Sequence, residues 1–324
     1  TPTPTPTPLG GADDRYALIM DTFSAASPAQ VLSTLGSVWY LDYSANTANI
    51  PAGRQKLIGI LSLPGPSFAS IQAIAQQYPG AVWYVLGEPN RIPEYFDPPA
   101  VVSQLHDLYV MIKAADSTAK ISSPSVLNWD FTCNGCGGYK SGHTWVDQFR
   151  TAYRAIYGQE PPIDVWAIDV YPLDWFNLPT IDTSIPINQL TAMRQYLNNV
   201  PQFASKPIWV TELGLHWGWT DFRQRGDTTI PCGTYKTGQV IAYFRTVFDW
   251  LEANASSLNI PKWFTFIAYE DLTGGNPAAY AGASMYTSPP PGGALSPFGQ
   301  FFRNRVFHTN NPLPALTEPS IACP

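Results

Sequence analysis

The stretch from Ala81 to Asn90 reads AVWYVLGEPN and decides the fold. A continuous run of apolar, β-branched and aromatic residues is followed by Gly87, Glu88 and Pro89. Such a run is typical of a strand that is buried on both faces of a parallel sheet. Pro89 has no backbone N–H and cannot extend the ladder, so Glu88 is predicted to lie at the carboxyl end of a buried strand. A carboxylate is costly there unless it is used; a glutamate merely solvated at the rim is the alternative.

A second stretch repeats this arrangement. Residues Pro207 to Trp219 read PIWVTELGLHWGW, in which an apolar run ends at Glu212 and is followed by Gly214. The repetition favours a functional role for Glu88 and Glu212 over two unrelated solvated glutamates.

Apolar strand-like runs alternate with amphipathic segments along the rest of the chain. This alternation predicts an α/β protein, a single-domain (β/α)8 TIM barrel over residues 12–324. Between residues 42 and 56 there is little helical periodicity, so the second helix is predicted to be short or replaced by a loop. Residues 99–115, in contrast, have apolar side chains at helical spacing, at Val101, Leu105, Leu108 and Ile112, which are predicted to face inward. The predicted strands are 16–21, 38–42, 56–61, 82–86, 120–126, 163–171, 207–212 and 263–269, and the predicted helices are 28–35, 67–77, 99–115, 143–157, 187–197, 238–253 and 297–306.

Composition excludes several classes of partner. The 324 residues include 18 basic and 24 acidic ones, a net charge of −6, with no basic cluster, so neither nucleic acid nor an anionic membrane surface is expected as a partner. No apolar run is long enough to span a membrane, and no signal peptide is recognised. Aromatic residues make up 14% of the chain and charged residues only 13%, a balance that suits a surface for neutral sugar rings.

The first residues, TPTPTPTPLGG, form a Thr/Pro-rich segment over positions 1–11. Alternating proline favours an extended polyproline II spacer, so we interpret residues 1–11 as a linker that tethers the domain to an upstream module. Linkers of this kind are frequent in secreted modular proteins, which predicts an extracellular, monomeric domain.

The four cysteines are Cys133, Cys136, Cys232 and Cys323. An even count in an oxidising compartment favours two disulfides, with Cys133–Cys136 and Cys232–Cys323 preferred among three connectivities. A structural zinc site is the alternative, but such sites usually bring two close pairs of ligands.

The two strand-end glutamates point to one chemistry. In a barrel, Glu88 and Glu212 would face each other across the same mouth. Two carboxylates in different environments are what glycoside hydrolysis requires, one as a proton donor and the other ionised. No phosphate loop, G-x-S-x-G or H-E-x-x-H motif is present, so no cofactor or metal is expected.

These residues resemble glycoside hydrolase clan A, whose barrels carry an acid/base glutamate in an Asn-Glu-Pro motif after strand four and a nucleophile after strand seven. The corresponding segments are Gly87–Asn90 and Trp209–Gly214. Within the clan, the chain is most similar to the family 39-like and "glycosyl hydrolase catalytic core" groups. The resemblance implies that Glu88 is the general acid/base and Glu212 the nucleophile of a retaining enzyme.

One position departs from the clan pattern. Gly87 stands where the clan has an asparagine whose amide binds the sugar 2-hydroxyl. Asn90 or Asn128, at the end of the fifth predicted strand, is expected to supply that amide instead.

Further residues are expected to bind substrate at the same mouth. Tyr171 resembles the clan's residue that hydrogen-bonds the nucleophile, with a rim tyrosine as the alternative. Tyr269 and Glu270 follow the eighth predicted strand. Tryptophans in the loops after strands five, six and seven are expected to stack on sugar rings; these are Trp129, Trp175, Trp217 and Trp219.

The combined prediction is a secreted, retaining glycoside hydrolase that acts within a β-linked polysaccharide or oligosaccharide. The aromatic-rich loops and the linker favour endo action. An exo-acting β-glycosidase or arabinofuranosidase-type enzyme on the same barrel is one alternative. A catalytically silent carbohydrate-binding barrel, for which Gly87 is the argument, is the other.

Overall fold

The computed structural model describes most of the predicted domain. The described residues are 11–20, 28–91, 95–130, 140–172, 180–216, 235–270, 280–290 and 292–319. All four cysteines lie outside these ranges, as does the linker except Gly11, so the predicted disulfides and tether stay predictions. Among the described helices, none combines the length and apolar character that a membrane span requires.

Strands and helices alternate along the described chain, with nine parallel strands and seven α-helices in these ranges. The strands are β1 (Tyr16–Ile19), β2 (Trp39–Leu41), β3 (Gln55–Ile60), β4 (Val82–Val85), β5 (Lys120–Ile121), β6 (Val126–Leu127), β7 (Trp166–Val170), β8 (Ile208–Leu213) and β9 (Lys262–Thr265). The helices are α1 (Pro28–Leu35), α2 (Phe68–Gln77), α3 (Pro98–Ala115), α4 (Gly142–Tyr157), α5 (Ser184–Asn198), α6 (Thr237–Leu258) and α7 (Pro297–Phe307). No helix lies between β2 and β3, all of whose residues are described, which confirms the predicted loop.

The sheet curls round until its two edges approach each other. Its strand order is β5-β4-β3-β2-β1-β9-β8-β7-β6, so the edge strands are consecutive in the chain. Parallel bridges join Ser122 to Val165 and Ser125 to Gly87, on the opposite sides of this seam. The fold is therefore a barrel-like single α/β domain.

The structure corrects the prediction of a regular eight-stranded barrel. The fifth predicted strand, over residues 120–126, is divided into β5 and β6 by the sequence Ser122-Ser-Pro-Ser125. Pro124 cannot donate a ladder hydrogen bond, and hydroxyls of this segment instead bond to the backbone of neighbouring strands. Ser122 Oγ, for example, accepts from Val85 N at 3.0 Å.

Apolar side chains pack on both faces of the sheet. Along β4, Val82 and Tyr84 belong to the core inside the curl, and Trp83 and Val85 belong to the larger core beneath the helices. This two-sided burial is what a parallel strand of continuous apolar residues provides. The helices close the outer core through apolar stripes, as on α3, whose predicted positions Val101, Leu105, Leu108 and Ile112 are all buried.

Candidate active site

Glu88 lies at the rim of the curled sheet, just after β4. Its N–H donates to the carbonyl oxygen of Ser125 at 2.7 Å across the seam. Its backbone is left-handed, with φ +46°, and so is that of Leu86. Such a conformation is unusual for a side chain other than glycine or asparagine, and it turns the chain sharply at the strand end. The carboxylate pairs with the guanidinium of Arg91, and the Glu88 side chain is only 13% exposed.

Glu212 reaches the same rim through an irregularity in β8. Thr211 is an extra residue in the register between β7 and β8, where Val210 pairs with Ile168 and Glu212 pairs with Asp169. A β-bulge of this kind re-aims side chains and is frequent beside active sites. As a result, the consecutive side chains of Thr211 and Glu212 both reach the polar interior.

Two tyrosines hold the Glu212 carboxylate. Tyr171 donates its O–H to Glu212 Oε2 at 2.7 Å, and Tyr43 donates to Oε1. The hydrogen bond predicted for Tyr171 is therefore present. Tyr43 is a residue that sequence reasoning missed, and it sits two residues beyond β2 with a φ of +58°. Burial raises the pKa of both hydroxyls well above the usual range, so both remain donors.

A third carboxyl lies beside the two glutamates. One oxygen each from Glu88, Asp169 and Glu212 lies within 4.8 Å of the others. Asp169 is fully buried on β7, and its Oδ1 lies within hydrogen-bond distance of Ser125 Oγ at 2.8 Å and Thr211 Oγ1 at 2.7 Å. Asp169 therefore hydrogen-bonds within the barrel.

Burial and mutual repulsion make this cluster hold protons. Burial, together with the charge of Glu88, raises the pKa of Glu212 from 4.5 to about 8. The two tyrosine O–H groups and Arg91 oppose this rise because they stabilise the ionised form. Burial and both glutamates also raise the pKa of Asp169 well above its usual range.

The distances within the cluster would also admit a small cation, yet its hydrogen bonds argue against one. Both oxygens of Glu212 face tyrosine O–H donors, and Glu88 already pairs with the cationic Arg91. A bound cation would have to displace these donors and tolerate the guanidinium. The donor set fits acid–base chemistry better than metal binding.

The two candidate amides are buried and bonded to backbone groups, which corrects the expectation that one of them binds the 2-hydroxyl. Asn90 is fully buried; its amide donates to the carbonyls of Leu127 and Lys140, and its Oδ1 accepts from Leu127 N. Asn128 is equally buried, and its amide bonds to both the N–H and the carbonyl of Tyr171. Each amide fixes backbone near the site because its polar atoms are used internally.

Packing against Tyr84 explains why position 87 is a glycine. A Cβ built at this position would lie 3.0 Å from the hydroxyl of Tyr84, which fills the interior below it. This is closer than almost all real Cβ contacts, so an asparagine at position 87 would press on Tyr84. The departure from the clan motif is thus coupled to the tyrosine on β4.

The aromatic expectations have mixed outcomes. Trp129 is 1% exposed and stacks on His143 with ring centroids 5.3 Å apart, so it is a packing residue and corrects the prediction of a sugar platform there. Trp175, Trp217 and Trp219 lie outside the described residues. Tyr269 is buried, and Glu270 is half-buried with its N–H bonded to Ser284 Oγ at 3.1 Å.

The rings of Phe266 and Tyr280 lie next to Tyr171 and are called the aromatic wall below. The ring of Tyr280 packs on Phe266 with centroids 4.7 Å apart, and its hydroxyl lies 3.2 Å from His216 Nε2. Burial and the charge of Arg91 lower the pKa of His216 to about 3, so this histidine is neutral near pH 7. Sequence reasoning did not identify Phe266 or Tyr280, since neither has a local signal.

Comparisons with known proteins identify the family of the chain. The sequence profile described as "Glycosyl hydrolase catalytic core" matches residues 31–302. No curated protein matches the chain.

Several solved glucanases share the fold at low identity. One is a GH128 (subgroup II) endo-beta-1,3-glucanase from Pseudomonas viridiflava, 18% identical, with a TM-score of 0.61 over 89% of this chain and 96% of that one. Another is a GH128 (subgroup I) endo-beta-1,3-glucanase from Amycolatopsis mediterranei in complex with laminaritriose, 17% identical, with a TM-score of 0.55 over 90% and 99%. A third is a GH128 (subgroup III) curdlan-specific exo-beta-1,3-glucanase from Blastomyces gilchristii, 15% identical, with a TM-score of 0.54 over 90% and 99%.

The family match is far broader than the short motifs around Glu88 and Glu212, because it spans most of the domain. The finer likeness to clan A and to family 39 is not confirmed by these matches and stays a resemblance. The chain belongs to the glycosyl hydrolase catalytic core family and is an O-glycosyl hydrolase.

Proposed function

We propose that this hydrolase is a retaining, endo-acting β-glucanase in which Glu88 is the acid/base and Glu212 the nucleophile. The observation that carries the proposal is the close approach of the two glutamates, with oxygens within 4.8 Å. Retaining glycosidases place their carboxyl groups about 5–5.5 Å apart, whereas inverting enzymes need about 6.5–9.5 Å to admit a water molecule.

The surroundings of Glu212 suit a nucleophile. Both of its oxygens accept tyrosine hydrogen bonds, from Tyr43 and Tyr171, and these favour the ionised carboxylate. The bonds also fix its orientation, which a reacting oxygen needs in order to meet the anomeric carbon in line.

Glu88 suits the acid/base role because it lies on the turn after β4, at the edge of the cleft. Its ion pair with Arg91 favours the ionised form while no substrate is bound. A proton is nevertheless at hand, because Glu212 keeps one up to a pH of about 8. A glycosidic oxygen placed beside Glu88 offers its acid form an acceptor, so substrate binding favours moving the shared proton from Glu212 to Glu88.

The reaction then proceeds in two displacements. Glu212 forms a bond to the anomeric carbon as the glycosidic bond breaks, and the leaving oxygen takes the proton of Glu88. Glu88, now ionised, removes a proton from water, whose oxygen attacks the anomeric carbon and releases Glu212. The anomeric configuration is inverted twice and so retained.

The fold likeness supports β-glucan as the substrate class, because the solved structures of this fold include endo-β-1,3-glucanases and a curdlan-specific exo-β-1,3-glucanase. Endo action is proposed from sequence alone, which predicts that Trp175, Trp217 and Trp219 lie in loops at the mouth of the barrel. The curdlan-specific neighbour makes exo action the second candidate. Tyr269 and Glu270 are proposed to contact the sugar beside the aromatic wall. Secretion, the disulfides, the upstream tether and the monomeric state are proposed from sequence alone.

The test is hydrolysis of laminarin, curdlan, cellulose, xylan and mannan by the wild type, Glu88→Ala and Glu212→Ala. Product anomers are followed by proton NMR, with azide added to each variant. We expect cleavage of a β-glucan with retention, loss of activity in both variants, and azide products of opposite anomeric configuration. Glu252→Gln on α6, which removes a glutamate bonded to Tyr16, is the matched control and should stay active.

Each alternative has its own outcome. A ladder of oligosaccharides supports endo action, and release of glucose alone supports the exo enzyme. Wild-type activity in Glu88→Ala would refute the assignment of the acid/base. Binding of laminari-oligosaccharides with no turnover would contradict the catalytic proposal altogether.

A further inference from the structure

Asp169 is the one member of the carboxyl cluster that the proposed mechanism does not use. It is fully buried at the seam of the sheet, directly opposite Glu212 in the β7–β8 register. Four ionisable groups face it from the neighbouring elements: Glu88, Glu212, Tyr43 and Tyr84.

The hydrogen bonds around Asp169 require more protons than the hydroxyls supply. Asp169 Oδ1, Ser125 Oγ and Thr211 Oγ1 form a triangle with sides of 2.8, 2.7 and 2.7 Å. Thr211 Oγ1 also lies 3.3 Å from the carbonyl oxygen of Ile168. Three hydrogen bonds around the triangle need three protons, and two hydroxyls carry only two. A proton on the carboxyl completes the triangle.

The second oxygen leads to the same conclusion. Asp169 Oδ2 is buried and has no hydrogen-bond partner among the described residues. A carboxylate would leave anionic charge on a buried oxygen with no donor, which costs far more than leaving a neutral carbonyl oxygen there.

We propose that Asp169 is a positioning residue that works as a neutral carboxylic acid. Through the Ser125–Thr211 triangle it fixes the bulge that aims Glu212. Because it carries no charge, it leaves Glu88 and Glu212 to share a single proton instead of adding a third negative charge beside them. The inference rests on the proposed roles of the two glutamates.

The protonation of Asp169 can be measured without substrate, so its failure is distinguishable from failure of the proposed function. The protein is labelled with carbon-13 at the aspartate side-chain carboxyls, and their resonances are followed by NMR across the pH range. We expect one resonance at the position of a protonated carboxyl at neutral pH, absent from Asp169→Asn. If every aspartate is ionised at neutral pH, the inference is wrong. Counting the protonated aspartate resonances needs only the wild type, so the test holds even if Asp169→Asn does not fold.

Kinetics give the second readout. Asn is the nearest uncharged mimic of a protonated Asp, so Asp169→Asn should keep kcat/KM within about tenfold and leave both limbs of its pH profile in place. An ionised Asp169 would predict otherwise, because removing a negative charge at this distance would lower the acid limb by about one to two pH units. Asp169→Ala opens the triangle and should lower kcat at least tenfold with little change in KM. Equal kcat in the Ala and Asn variants would overturn the positioning role.

Discussion

Replacing Tyr171 with phenylalanine tests how hydrogen bonds set the pKa of Glu212. The substitution removes only the hydroxyl that donates to Glu212 Oε2 at 2.7 Å and keeps the ring. The ring must stay because Gly214 packs against it; a Cβ at Gly214 would lie 2.1 Å from the Tyr171 Cε1 atom. The bond from Tyr43 to the other carboxylate oxygen remains.

The size of the effect follows from the charge of the acceptor. A hydrogen bond to a charged group contributes about 1.5–3 kcal/mol, and one pKa unit corresponds to about 1.4 kcal/mol. Tyr171→Phe should therefore raise the pKa of Glu212 by about one to two units. Glu212 holds the proton that the two glutamates share up to a pH of about 8, so its ionisation sets the basic limb of kcat/KM, and this limb should move to higher pH by the same amount. Passing the proton from Glu212 to Glu88 also becomes less favourable, so kcat/KM between the two limbs should fall about ten- to a hundredfold.

The assay is the pH profile of kcat/KM on the best glucan of the panel, with Tyr153→Phe as the matched control. Tyr153 is equally buried and also loses one hydrogen bond, to His106 Nδ1 at 2.7 Å, but it lies on α4, away from the carboxylates. The control should keep the wild-type profile. A basic limb that stays in place in Tyr171→Phe, or that moves to lower pH, would refute the role assigned to this hydroxyl.

Three further predictions concern stability. Glu212 holds its proton up to a pH of about 8 in the folded protein but releases it near pH 4.5 in the unfolded chain, so the folded state loses stability as the pH rises from 4.5 to 8. Because glutamine stays neutral, Glu212→Gln should raise the melting temperature above pH 8 and leave it unchanged below pH 4.5. The asparagine of Gly87→Asn would press on Tyr84, so this variant should lose about 1–3 kcal/mol of unfolding free energy without a rise in kcat/KM, and Gly87→Ala should lose less. Denaturant titrations that show the same stability for Gly87→Asn and the wild type would contradict the packing argument. Asn128→Ala leaves the backbone N–H and carbonyl of Tyr171 without partners, so it should cost about 2–4 kcal/mol; an increased KM at unchanged stability would show that the amide binds substrate after all.

Elements that depend on hydrophobic periodicity could be predicted from the sequence, and those that depend on an irregular backbone could not. The helix predicted over residues 28–35 matches α1, and all four inward positions predicted for α3 are buried. The strand predicted over residues 120–126 is wrong in its middle, where Pro124 has no N–H and the hydroxyls of Ser122 and Ser123 accept from the backbone of neighbouring strands. Periodicity counts apolar residues and is insensitive to which donors the backbone retains.

The candidate site shows the same difference between residues with a local sequence signal and residues without one. The close approach of Glu88 and Glu212 could be predicted because each follows a buried apolar run, a pattern with a local signal. Asn90 and Asn128 were misplaced because sequence shows that an amide is near a strand end but not whether its polar atoms are used by the backbone. Trp129 was misplaced for a related reason, since an indole in a loop can equally stack on His143.

Backbone conformation at the rim explains why Tyr43 was not predicted from the sequence as a site residue. Tyr43, Leu86, Glu88 and Asn128 all have φ between +46° and +58°, and all follow a strand at this end of the curl. Only asparagine has a local preference for that conformation, and the others cost about 1–3 kcal/mol each unless surrounding contacts hold them. Here the contacts are those of the site itself: Tyr43 bonds to Glu212, and the N–H of Glu88 bonds to Ser125 across the seam. Local propensity argues against these turns, and the carboxylates that we propose to be catalytic lie on them or bond to them, so the positions that sequence rules predict worst are the ones on which the proposed chemistry depends.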